Sequence, residues 1–201
     1  MLWLPEPPRG TAVALGFDGS DVDDWTAIRG RVMEDGFGFT PRFGDRPTIW
    51  NPAEHPDHRV PRAQVTDAVA DLFERFEVVR FYCDPPGWQS EIDEWALRHG
   101  EEKVLRWETY RPKQMSYALE RYVTDLRSGA FEHDGCPITA SHVGNAVKAS
   151  RKNDTYVLAK ASKAQKIDAA MADVLAHEAR ADALTAGWSA EVGPTYFRLP
   201  R

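Results

Sequence analysis

Cysteine is scarce in this chain of 201 residues: Cys83 and Cys136 are the only two, and no CxxC spacing occurs. That excludes a disulfide framework and fits a reducing compartment. Long apolar runs are missing as well. Nothing approaches the ~18 residues of a membrane span, and the longest run, near Ala12 to Leu15, is strand-sized. The N-terminus also lacks the basic-then-apolar pattern of a signal peptide, so the expectation is a soluble intracellular protein. There is no internal repeat or low-complexity tract, which excludes solenoids and arrays. The phosphate-loop pattern GxxxxGK followed by Ser or Thr is absent, as is any Gly-Lys pair; a P-loop motor is excluded.

What is present supports a substantial core. With 42% apolar residues, a chain of this length hides roughly 70% of the surface its unfolded form exposes. Acids outnumber bases 31 to 25, for a net charge of -6, which argues against coating nucleic acid through bulk charge. The distribution is uneven, however. Residues 1–100 hold 18 acids and 10 bases, all arginine, whereas residues 101–201 hold 13 acids and 15 bases. Lys148, Arg151, Lys152, Lys160, Lys163 and Lys166 face a single acid, Asp154, between positions 148 and 166. Such a stripe is either a solvated face or a local site for phosphate.

The opening ten residues carry three prolines and read as a linker or arm. From Thr11 the pattern alternates, with Val13, Leu15 and Phe17 on one face and Ala14, Gly16 and Asp18 on the other, which predicts a strand. Trp25 to Met33 reads as a second strand and Gly36 to Thr40 as the start of a third, joined as antiparallel hairpins. Pro41 to Pro61 reads as an irregular excursion. Val65, Ala68, Val69, Leu72, Phe73 and Phe76 then recur at helical spacing. Val78 to Cys83 reads as a strand, Trp88 to Arg98 as a helix, Lys103 to Trp107 as a strand and Lys113 to Arg127 as a helix. Ile138 to Ser150 reads as a helix, Tyr156 to Leu158 as an edge strand, and Gln165 to Asp182 as the last helix. A meander followed by alternating strands and helices predicts an α/β fold, a mixed sheet covered by helices.

Three carboxylates occupy places where charge is costly without a task. Asp18 ends the first strand on the side of Ala14 and Gly16, whose small size lets another element approach. Asp84 ends the strand Val78 to Cys83, before Pro85-Pro86-Gly87. Asp168 lies in the first turn of the last helix, on the face of Met171 and Leu175. If the two strands are neighbours and the helix packs over their ends, the three acids converge. Converged carboxylates repel unless a cation compensates. Mg²⁺ or Mn²⁺ suits that need, and two such ions can drive in-line phosphodiester hydrolysis. Taken singly, each acid also has an ordinary role: turn former, loop cap, or partner of a helix dipole.

These residues resemble a family. GFDGS (Gly16 to Ser20) followed by Asp24-Trp25-Thr26, then FYCDPPGW (Phe81 to Trp88), HVGNAVK (His142 to Lys148) and KASKAQKIDAAMA (Lys160 to Ala172) occur in an order similar to the nuclease domain of the large terminase subunit of tailed bacteriophages. The resemblance covers about residues 11 to 182. It implies a ribonuclease H-like fold with helices on both faces of the sheet. The implied activity is an endonuclease that holds Mg²⁺ or Mn²⁺, two ions, and cuts concatemeric viral DNA during genome packaging. Asp18, Asp84 and Asp168 would be catalytic metal ligands, with Asp24 beside the cluster. The basic residues Lys148, Arg151, Lys152, Lys160, Lys163 and Lys166 would contact double-stranded DNA. The implied partners are the terminase ATPase domain or subunit, the small terminase subunit and the portal protein, in the cytoplasm of a bacterial host and with no membrane. Asn145 matches a recurrent asparagine of unassigned role. The expected organisation is an arm over residues 1–10, a nuclease domain over 11–186 and a tail over 187–201. Without a phosphate loop, this chain is not the packaging motor by itself.

Other readings keep parts of this pattern. A resolvase or transposase-like nuclease would use the same acids on branched or end-specific DNA, and a DNA- or portal-docking module would keep the fold without turnover. An ATP-binding module of the actin type would need two lobes, more than this length holds. Trp88 and Trp95 are expected in the core, and Cys83 as a buried thiol turned away from the acids. His55, Asp57 and His58 read as polar side chains of a Pro-rich loop, and His133, Asp134 and Cys136 as a turn.

Overall fold

The computed structural model describes residues 5–20, 22 and 24–190; the expectations for residues 1–4 and 191–201 lie outside the described residues. The strands are β1 (Ala12–Asp18), β2 (Thr26–Val32), β3 (Gly38–Phe39), β4 (Arg42–Phe43), β5 (Arg46–Pro47) and β6 (Ile49–Trp50). Helix α1 (Arg62–Arg75), β7 (Glu77–Cys83), α2 (Gln89–His99), β8 (Val104–Arg106) and α3 (Pro112–Ser128) follow. The chain continues through α4 (Pro137–Gly144), β9 (Ala146–Ser150), β10 (Tyr156–Lys160) and α5 (Asp168–Thr185).

The main sheet runs β3-β2-β1-β7-β8, with β6 also paired to β2. β1 is antiparallel to β2, with Asp18 opposite Ala27, and parallel to β7, with Phe17 opposite Cys83. β8 adds in parallel to β7. The predicted mixed sheet is borne out, and helices cover both faces. Because side chains alternate along a strand, Val13, Leu15 and Phe17 pack on one side with Val65, Val69 and Leu72 of α1 and Ile92 and Trp95 of α2. Trp88 and Trp95 are fully buried there, each edge-on to Phe17 with ring centroids 5.1 and 5.2 Å away. The Cys83 thiol lies in this same layer.

The opposite face receives α5. Ala14 lies there with Tyr82, Met171, Val174 and Leu175, and Gly16 is where the backbones meet. A Cβ on Gly16 would stand 2.1 Å from the Ala172 carbonyl oxygen and 2.3 Å from the Ala176 nitrogen. Only glycine permits that approach. Helix α5 is buried nearly all round, including Asp173, His177 and Glu178, and therefore shows no single apolar stripe. Its inward charge is matched from β2. Arg29 Nε donates to Asp173 Oδ1 at 3.1 Å, and Arg31 Nη2 donates to Asp173 Oδ2 at 2.6 Å. Tyr122 of α3 donates its hydroxyl to the same carboxylate at 2.7 Å. Burial alone would raise the Asp173 pKa, but Arg31 and Arg29 hold it at about 2.

Several predicted boundaries shift. Ile138 to Ser150 is not one helix: α4 ends at Gly144, and Ala146–Ser150 pairs with Tyr156–Lys160 in a separate hairpin, so β10 is not an edge of the main sheet. Val147 and Ala149 alternate with Lys148 and Ser150, a period that suits a strand better than a helical face. The excursion over 41–61 contains the β4–β5 pair and β6. α5 begins at Asp168 rather than Gln165. Asp134 is no plain turn residue, for it accepts from Arg29 Nη1 at 3.1 Å and from the Thr40 amide and hydroxyl at 2.6 and 2.7 Å, with the whole cluster buried. Residues 5–10 form no helix or strand but are fastened down, with Glu6 accepting from Arg75 Nη1 at 2.6 Å and from the Arg42 amide at 2.9 Å.

Candidate active site

The C-terminal ends of β1 and β7 lie side by side because the strands are parallel neighbours, and the Asp84 amide donates to the Phe17 carbonyl at 3.0 Å. Asp18 and Asp84 therefore leave the sheet from adjacent positions. Asp168, the first residue of α5, is carried to the same edge by the packing of that helix across β1. All three acids predicted from strand-end and helix-start placement are thus brought together.

Their electrostatics record the crowding. Burial first, then the charges of Asp168, Asp84 and Asp24, push the Asp18 carboxyl well above the usual range, while Lys160 pulls it down. Burial chiefly raises Asp168 to about 6; its own amide, Lys160 and the Trp25 backbone N–H oppose this, and Asp24 adds to it. Asp168 is 5% exposed, and its Oδ2 has no hydrogen-bond partner. Asp84 is raised by burial, against two hydrogen bonds from Thr109: the hydroxyl to Oδ2 at 2.7 Å and the amide to Oδ1 at 3.2 Å. Buried, mutually repelling carboxyls with an orphaned oxygen form a donor set suited to a hard divalent cation. Among the described residues no three His, Cys, Asp or Glu side chains stand at ligand spacing.

Asp24 sits on the rim and is engaged by cations. Lys160 pairs with its Oδ1, and Lys166 Nζ reaches the same oxygen at 2.8 Å. Burial would raise this carboxyl, but the two lysines lower it. The predicted basic stripe is therefore divided. Lys160 and Lys166 stand beside the acids, Lys163 is exposed on the connection between them, and Lys148, Arg151 and Lys152 lie on the β9–β10 hairpin. Lys148 Nζ rests 4.0 Å above the Tyr156 ring.

Residues to which the sequence assigned no role hold this arrangement. The His142 ring accepts the Ala169 amide proton on Nδ1 at 3.0 Å, supplying the helix start that has no side-chain cap of its own. Burial, and secondly Lys166, depress its pKa to about 4. Asn145 donates Nδ2 to the Lys166 carbonyl at 2.9 Å, and its own carbonyl accepts from the Ala161 amide at 3.2 Å. The recurrent asparagine thereby fastens both ends of the loop that carries the lysines. Thr109 gave no signal, since its role depends on the loop after β8 folding back to the edge of β7.

The chain matches no protein-family profile. It is 33% identical over 187 residues to the "Gene 13 protein" of Mycobacterium phage D29, a match covering 88% of this chain and 30% of that protein. The chain thus spans about 30% of the length of the curated relatives it matches. Among solved structures it resembles the large terminase of bacteriophage HK97, with TM-score 0.65 and 17% identity over 87% of this chain and 40% of that one. It also resembles the large terminase nuclease from thermophilic phage G20c with bound magnesium, with TM-score 0.60 and 14% identity over 89% and 92% of the two chains. The chain has the large-terminase nuclease fold. The terminase nuclease fold accounts for most of the described residues, and it is the sheet edge bearing Asp18 and Asp84 that α5 of this fold closes with Asp168.

Proposed function

We propose that this chain is the nuclease domain of a phage large terminase, an endonuclease that cuts concatemeric DNA with divalent metal ions during genome packaging. The observation carrying this reading is the meeting of Asp18, Asp84 and Asp168 at one sheet edge, with the Asp168 Oδ2 buried and unpartnered. These three carboxyls would hold Mg²⁺ or Mn²⁺, two ions in the full reading, which supply Lewis acidity and an activated water for phosphodiester hydrolysis. The magnesium in the G20c large terminase nuclease structure supports the choice of ion.

The chain's own residues prepare the site. Thr109 holds Asp84 in place through two hydrogen bonds, one to each carboxylate oxygen. His142 and Asn145 fix the start of α5 and the lysine loop. Lys160 and Lys166 stand where a phosphate would arrive, and Asp24 presets their ammonium groups. On this reading residues 11–186 are the catalytic unit. An ATPase domain or subunit, a small terminase subunit and a portal protein supply the rest of the packaging machine in the host cytoplasm. Among the described residues no helix is long and apolar enough to cross a membrane.

The test is conversion of supercoiled plasmid to nicked and linear forms with Mn²⁺, with Mg²⁺ and with chelator. Cleavage is expected with Mn²⁺, less with Mg²⁺ and none with chelator, and Asp84→Ala is expected to abolish it. Metal-independent cleavage, or wild-type rates from Asp84→Ala, would reject the assignment.

A further inference from the structure

A groove of about 810 Å³ separates the first turns of α3 from the turn of the β9–β10 hairpin. Lys113, Arg151 and Lys152 line it together with Tyr117. From this juxtaposition we infer that the groove takes an unpaired DNA strand, stacking a base on Tyr117 and seating phosphates on the three cations. The inference rests on the nuclease reading above.

Four observations favour that occupant. First, the cations carry no paired acid: among the described residues Lys113, Arg151 and Lys152 form no ion pair, Arg151 Nη1 donating only to the Ser150 carbonyl at 3.1 Å, whereas Lys160 and Lys166 are both held by Asp24. Second, Tyr117 is 60% exposed in a chain that buries Trp88, Trp95, Phe17 and Phe81 completely. An exposed ring beside cations is the pattern of single-strand sites, because every base has a face to stack. Third, the walls are rigid. The Tyr156 amide donates to Ser116 Oγ of α3 at 3.2 Å, tying hairpin to helix. The turn itself is closed by the Arg151 amide on the Thr155 carbonyl at 2.7 Å and the Thr155 hydroxyl on the Lys152 carbonyl at 2.7 Å. Asn153 and Asp154 adopt the left-handed backbone that the turn requires.

Fourth, the groove begins close to the acids. Thr109, which holds Asp84, is followed three residues later by Pro112 at the groove wall; a fully extended chain of that length spans no more than about 11 Å. A strand leaving the cut therefore has a short path to it. Glu120 and Asp154 also line the groove, so its positive excess is small and stacking carries much of the attraction.

Fluorescence anisotropy with a short labelled oligothymidine and a labelled duplex, both in chelator, tests this. Tyr117→Ala is expected to weaken single-strand binding roughly ten-fold and leave duplex binding unchanged, while Tyr117→Phe retains wild-type affinity. Lys113→Ala with Lys152→Ala is expected to reduce the salt slope for the single strand by about 1.4. Unchanged single-strand affinity in Tyr117→Ala, or equal losses for both substrates, overturns the inference. Because no metal is present, the two readings fail separately. Plasmid cleavage that depends on Asp84 while Tyr117→Ala binds like wild type removes only the groove. Tyr117-dependent binding without any metal-dependent cleavage removes only the nuclease.

Discussion

Replacing Gly16 by alanine places one methyl group where the backbones of β1 and α5 touch. The new Cβ would lie 2.1 Å from the Ala172 carbonyl oxygen and 2.3 Å from the Ala176 nitrogen, against an ordinary contact of 3.4 Å or more. Both obstacles are main-chain atoms, so no rotamer change relieves them, and α5 must retreat by more than an ångström. Overpacking of this kind costs about 1–3 kcal/mol, and the upper end is expected because the retreat also stretches the buried bonds of Asp173 to Arg29 and Arg31. The same movement carries Asp168 away from Asp18 and Asp84, and a misplacement of about 1 Å in a catalytic group can reduce rate ~100-fold. Urea unfolding followed by tryptophan fluorescence reads the first effect. Plasmid cleavage, under conditions where the variant is fully folded, reads the second. A Gly16→Ala protein with wild-type stability and wild-type cleavage would refute the claim that this contact sets the position of α5.

Further consequences concern the supports of the site. Asp173→Ala leaves Arg29 and Arg31 buried without their shared acid and is expected to cost about 3–5 kcal/mol in urea unfolding. Because the Asp173 carboxyl is held at about 2 in the folded chain against ~3.9 unfolded, its stabilisation is fully present above pH ~4 and lost as pH falls through about 2. The stability gap between wild type and Asp173→Asn should therefore shrink over that window; a gap independent of pH contradicts the pairing. His142, depressed to about 4 by burial and secondly by Lys166, should show ring proton resonances titrating near pH 4 rather than ~6.5, and a midpoint at ~6.5 would mean that the ring is not buried beside Lys166. Asn145→Ala should slow cleavage and weaken Mn²⁺ binding with little loss of stability, since it frees the lysine loop without opening the core. Unchanged metal affinity would confine Asn145 to the loop.

Much of this architecture is written locally in the chain. The alternation of Val13 to Asp18 and the helical spacing of Val65 to Phe76 each follow from one element burying one face, so period alone assigns them. The three acids were legible because each sits at a boundary: strand end, strand end and helix start. What was not legible depends on partners far apart in the chain. Nothing in the second strand marks Arg29 and Arg31 as buried, and their burial makes sense only against Asp173 and Asp134, more than a hundred residues away. Helix α5, charged on its inner surface, carries no stripe that would announce its central position. The basic run from Lys148 to Lys166 read as one surface, but a hairpin and the acid Asp24 divide it. Thr109 and His142 act through folded geometry: one bonds a carboxyl 25 residues earlier and the other an amide 27 residues later.

Calorimetric titration of Mn²⁺ into wild type and Asp168→Asn, two chains of nearly equal shape, asks most directly whether the three carboxyls form one metal centre. The account expects saturable binding by wild type, with two ions per chain, and loss of at least one of them in Asp168→Asn. Equal stoichiometry and affinity in the two proteins would contradict it.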